Sequence, residues 1–211
     1  MTNLLRNMPI RVKLLSYGAV MLLLLSLSFG YAIYSLTSIG HELDIIVEED
    51  IPLTQEIGKV TVDQLEQAIA FEKAMHYGTL MMYQEQQNKE SLKEKIKHNR
   101  EKYNAALNSF DKSSKHIGVA ILKAESLAEH AIKVSDATAI DKLKQVNKAV
   151  HHIEEAHASY DKHAHQTFDL FTQGKIEQAE ALAEKVEKVE HALDKETAAL
   201  LFKIQEFTRE G

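Results

Sequence analysis

The chain has 211 residues, a formal charge of −6, two prolines and neither cysteine nor tryptophan. Without cysteine there is no disulfide framework, thiolate zinc site or cysteine nucleophile. The acidic balance argues against a nucleic-acid partner, whose phosphates call for clustered Lys and Arg. Beyond residue 50, Ala, Glu, Lys and Leu dominate, the composition of long helices.

The first element is LLSYGAVMLLLLSLSFGYAIYSL, Leu14 to Leu36, without a charge or a proline. A bilayer core needs about 20 apolar residues in a helix. A signal-peptide core is shorter and ends in a small-x-small cleavage site. The apolar run here is too long for that, and Tyr31 and Tyr34 suit a membrane–water boundary better than a cleavage site. An uncleaved transmembrane helix over residues 14–36 is expected. Arg6, Arg11 and Lys13 precede it, and Glu42, Asp44, Glu48, Glu49 and Asp50 follow. Positive residues stay inside, so residues 1–13 form a cytoplasmic tail and residues 37–211 lie outside, in the periplasm of a cell with two membranes. The expected location is the inner (cell) membrane, spanned once.

The outer region reads as four helices, about 37–88, 89–134, 137–172 and 175–208, from apolar residues spaced alternately by three and four. The second carries its stripe through Leu92, Ile96, Asn99, Tyr103, Ala106, Phe110, Ser113, Ile117, Ala120, Ala124, Leu127, Ala131 and Val134 without a slip. Ser135 and Asp136 end it and can cap the next helix. The third runs Leu143, Val146, Val150, Ile153, His157, Tyr160, Ala164, Phe168 and Phe171 to a tight turn at TQGK, where Gly174 can take the left-handed conformation. The fourth follows Ile176, Ala179, Leu182, Val186, Val189, Leu193, Thr197, Leu200, Ile204 and Phe207. Short turns join antiparallel neighbours, so the fold class is all-α: an N-terminal transmembrane helix continuing into an antiparallel up-down-up-down four-helix bundle.

Pro52 should bend or restart the first of these helices. Beyond it the helix has two apolar faces. Leu53, Ile57, Val60, Ala68, Phe71, Met75 and Met82 share one; Val62, Leu65, Ile69, Leu80 and Tyr83 share another. The first can enter the chain's own bundle. The second calls for a partner, most simply a second copy in a homodimer, or else belongs to one wide buried stripe in a monomer.

The stretches EDIPLTQEIGKVTVDQLEQAIAFEKAM (Glu49 to Met75) and HAHQTFDLFTQGKIEQAEALAEKVEKVE (His163 to Glu190) resemble the first helix and the third-to-fourth helix turn of the sensor half of bacterial methyl-accepting chemotaxis proteins. The resemblance covers nearly the whole chain. It implies a receptor that detects a small molecule or a periplasmic binding protein and passes the signal inward by displacing a helix. The second membrane helix, the HAMP linker and the methylated hairpin of such receptors have no counterpart here, which reads as a fragment or a truncated receptor. Alternatives are a stand-alone membrane-tethered adaptor bundle, the sensor of another transducer such as a histidine kinase, and a metal-holding bundle, the last disfavoured because no second Glu-x-x-His accompanies Glu154 and His157.

Nothing in the sequence points to an enzyme or a bound cofactor: it has no phosphate loop, nucleophile elbow or HExxH. The candidates are binding groups. Glu154, His157, Asp161 and His165 lie along one stripe, and imidazole with carboxylate at i, i+4 can share a metal or act as a pH switch. The plainer reading is a partly buried His157 bonded to a neighbouring helix. Gln64, Gln67 and Glu72, interleaved with Phe71, together with Asn99, either fix helix register or line a polar ligand pocket between the first two bundle helices or at a dimer interface. Met81, Met82, Phe110, Phe168 and Phe171 read as core, and Lys93 to Lys102 as a solvated face.

Overall fold

A computed structural model describes residues 9–45, 51–87, 89–135 and 137–210. The described residues are almost wholly helical: α1 (Ile10–Ile45), α2 (Ile51–Gln86), α3 (Lys93–Val134), α4 (Ala137–Thr172) and α5 (Ile176–Glu210), with a 3₁₀ turn at Glu90–Leu92 before α3. No strand occurs among them. The chain divides into two units, Met1–Ile45 and Ile46–Gly211. The expectation that one helix runs from the membrane span through residues 46–50 falls outside the described residues.

In the first unit, Ala19–Thr37 within α1 is long and apolar enough to cross a membrane. Two of its hydroxyls are spent on the helix itself: Ser26 Oγ donates to the Leu22 carbonyl (2.9 Å) and Thr37 Oγ1 to the Ile33 carbonyl (2.8 Å). A polar side chain among hydrocarbon would otherwise lack a partner.

The second unit is a four-helix bundle. Pro52 sits in the first turn of α2, where its missing N–H breaks no helical bond. Cross-helix contacts set antiparallel registers. Arg100 Nη2 meets Glu85 Oε1 at 2.5 Å and His116 lies 3.7 Å from Asp63, pairing α3 with α2. His165 Nε2 lies 3.0 Å from Asp111 Oδ1 and His151 Nδ1 2.8 Å from Glu125 Oε1, pairing α4 with α3. The Lys142 ammonium lies 5.4 Å from the centre of the Phe207 ring, near opposite ends of α4 and α5. Thr197 on α5 reaches Gln64 on α2, closing the ring of helices.

Two glycines shape the helix contacts. At Gly78 a Cβ would lie 3.2 Å from Tyr103, so the bare backbone lets α2 approach α3. Gly174 adopts φ +73°. Its N–H donates to the Phe171 carbonyl and the Lys175 N–H to the Leu170 carbonyl, both at 2.9 Å. This is the Schellman arrangement that ends α4 and turns the chain into α5.

The α4 stripe is buried throughout, from Leu143 to Phe171. The stripes of α3 and α5 depart from strict heptads. Leu127 and Leu182 are only half-buried, Ala128 and Ala183 are buried in their stead, and Val134 is exposed. A straight helix drifts about 20° per heptad against a seven-residue repeat. The buried edge therefore moves on by one residue, in α3 through two steps of four, Ala120–Ala124–Ala128. The cap expected of Ser135 is not made among the described residues: its hydroxyl is buried without a hydrogen-bond partner there, while its N–H closes on the Ala131 carbonyl at 3.0 Å. Asp136 lies outside the described residues.

Candidate functional site

The bundle interior changes character along its length. One half is aliphatic, built on Leu53, Ile57, Val60, Ile117, Ile153 and Leu200. The other is aromatic, built on Phe71, Tyr103, Phe110, Tyr160 and Phe168. Phe110 stacks on Tyr160 (centroids 5.9 Å apart) and meets Phe168 edge-on at 5.2 Å. Tyr103 donates to the Phe168 carbonyl at 3.3 Å, and burial pushes its hydroxyl pKa up to about 12.

On α2, α3 and α4 a polar layer lies between the two halves. Asp161 on α4 is its centre. Gln67 Nε2 donates to Asp161 Oδ1 at 2.6 Å, from α2. Ser114 Oγ donates to Asp161 Oδ2, from α3. His157 Nε2 stands 3.7 Å from Asp161 Oδ1, too far for a hydrogen bond. One turn away, Thr197 donates to Gln64 Oε1 at 3.3 Å and to the Leu193 carbonyl at 2.8 Å. One carboxylate thus ties three helices and one amide reaches the fourth. Gln64 Nε2, Gln67 Oε1, His157 Nε2 and Tyr160 Oη are buried without hydrogen-bond partners among the described residues. Burial lowers the His157 pKa, and the nearby Asp161 charge opposes that only in part.

The four residues expected to share a metal go to three places. His157 and Asp161 stay together in the polar layer. His165 turns aside: its Nδ1 donates to the Asp161 backbone carbonyl at 2.8 Å and its Nε2 faces Asp111 at 3.0 Å. Burial works against the imidazolium there, but these two hydrogen bonds and the charges of Asp111 and Asp161 together outweigh it and the pKa rises. Glu154 turns toward His151 and, through it, Glu125 of α3. A helical stripe as wide as this one spreads its side chains over two neighbouring helices, so four residues on one stripe need not converge.

The expected ligand residues divide in a similar way. Gln64, Gln67 and Phe71 are inside the bundle, Asn99 donates to Gln84 Oε1 at 3.0 Å, and Glu72 is exposed. A groove of about 550 Å³ runs alongside, between α2 and α3, walled by Glu66, Ile69, Lys73, Tyr77 and Lys102. Lys73 and Lys102, on opposite walls, have no ion-pair partner among the described residues. Lys102 falls in the run read from the sequence as a solvated face and Lys73 was not singled out, because two lysines 29 positions apart become one feature only when the helices pair. The second apolar face of α2 stays uncovered in the single chain: Val62, Leu65, Ile69, Leu80 and Tyr83 are all exposed.

The bundle thus combines a polar middle with a charged groove on its side. Residues 4–117 match the family described as Tar ligand binding domain homologue, a match that takes in more than half of the chain. The chain belongs to this family of chemoreceptor ligand-binding domains. No curated protein and no solved structure matches it significantly.

Proposed function

We propose that this chain is the sensing part of a methyl-accepting chemotaxis receptor. Helix α1 anchors it in the inner membrane with the N-terminus in the cytoplasm, and the bundle, residues 37–211 of the sequence, stands in the periplasm. It works as a homodimer through α2. The observation that carries this reading is the two-sidedness of α2. One side fills the core, while Val62, Leu65 and Ile69 on the other are 60%, 63% and 43% exposed. A stripe of large apolar side chains left in water marks an interaction surface. The groove beside it, with its two lysines, suits a small molecule bearing negative charge, and a binding protein docking on the same face is the other form of input. A ligand drives the helix displacement only if it binds one packing of α2 more tightly than the other.

The chain contains no cysteine, so single substitutions give a clean test. Leu65→Cys and Ile69→Cys in native membranes are expected to give a disulfide-linked dimer on oxidation. Lys188→Cys, on an exposed position of α5, is expected to stay monomeric. Cross-linking needs Cα atoms about 4.4–6.8 Å apart. If none of positions 62, 65, 69, 80 and 83 cross-links, the homodimer through α2 is wrong.

A further inference from the structure

We propose that Glu125 of α3 with His151 and Glu154 of α4 forms a binding site for a divalent metal ion of the zinc class, clamping α3 to α4. This lies beyond the sensing role above and does not depend on it.

The donor atoms are already gathered. One ligand atom from each of the three residues lies within 4.8 Å of the others. His151 Nδ1 is 2.8 Å from Glu125 Oε1 and 3.3 Å from Glu154 Oε2. Neighbouring donors around a tetrahedral ion with bonds of about 2.0 Å stand roughly 3.3 Å apart, so small rotations of the His151 and Glu154 side chains complete the geometry. His151 and Glu154 are three apart on one helix and project together, and α3 supplies the third donor from across the interface.

The state of Glu125 is an independent pointer. Its Oε1 is shut off from solvent, and the imidazole nitrogen 2.8 Å away is out of line for a hydrogen bond, so this buried acceptor is unspent. Such an oxygen is costly unless something positive sits against it. One imidazole nitrogen and two carboxylate oxygens suit zinc and its neighbours in the first transition row. Three protein ligands leave the fourth position open. An ion held here favours whichever α3–α4 packing keeps its ligands together.

The test uses the intact chain in detergent with Zn²⁺, and with Co²⁺ as its spectroscopic stand-in. The expected result is one saturable ion per chain, visible Co²⁺ absorption of a low-coordinate nitrogen/oxygen site, and a raised melting temperature. His151→Ala is expected to weaken binding at least tenfold. The residue is exposed, so its loss leaves the fold intact. Glu125→Gln should weaken binding similarly, while His152→Ala, at an exposed neighbouring position, should leave it unchanged. No saturable binding in the parent would overturn the proposal, and would leave the three residues as a contact between α3 and α4 only. Equal affinity in parent and His151→Ala would overturn it too, since the ion would then belong to other histidines.

Discussion

The aliphatic and aromatic halves of the bundle solve the same packing problem by different means. The aliphatic half interdigitates many small contacts among Val, Ile, Leu and Ala, including Ala120, Ala124 and Ala128 on α3. The aromatic half depends on a few rings around Phe110, with alanines 70, 74, 106 and 164 making room for them. The first can lose one side chain and redistribute the loss. The second concentrates it at one residue. The polar layer that divides them is where helix register is written in hydrogen bonds rather than in shape.

The contrast can be broken most directly at its hub. Phe110→Ala is expected to cost about 3–5 kcal/mol of stability in chemical denaturation, the range for a large aromatic removed from a tight core. Ile117→Val, one step into the aliphatic half, should cost only about 0.5–1.5 kcal/mol. Equal costs would mean that the halves do not differ.

The dividing layer comes next. Asp161→Ala leaves the Gln67 amide and the Ser114 hydroxyl without their acceptor and is expected to cost about 1.5–3 kcal/mol. A double-mutant cycle with Gln67→Ala should return a coupling between about 0.5 and 3 kcal/mol. Additive losses would show that the layer is not a unit. Gly174→Ala, at the turn that feeds the aromatic half, should cost about 1–2 kcal/mol, because an alanine resists the left-handed backbone there.

Two histidines on α4 should answer pH with opposite signs. The His157 pKa is lowered in the folded chain, so the unfolded chain takes up the proton first and stability falls as pH drops below about 6.5. The His165 pKa is raised, so its contribution is full below about 6.5 and is lost as pH rises through the folded value. Melting curves from pH 5 to 8 of parent, His157→Gln and His165→Gln should separate the two. Removing His157 should flatten the acid side, and removing His165 the neutral side. The smallest effect belongs to the surface: Arg100→Ala should change stability by less than about 1 kcal/mol, since its pair with Glu85 is exposed to solvent.

The sequence carried the all-helical class, the turn at Gly174, the apolar span near the N-terminus and the inward course of α4, because each is written in a period or a single residue type. A seven-residue repeat placed Leu127 and Leu182 at the centre of the core and the structure placed Ala128 and Ala183 there, because helices keep 3.6 residues per turn. Within the sites, Gln64, Gln67 and His157 could be assigned to the interior from their positions on a stripe. Their partners could not. Asp161 receives Gln67 from 94 residues away and Ser114 from 47. Glu125 meets His151, and Lys73 faces Lys102 across a groove, only because α3 packs against α4 and α2 in one particular register. Periodicity within a helix is local and can be read from the chain. Which atoms meet between helices depends on rotation and register, and the packing of all four helices together decides those.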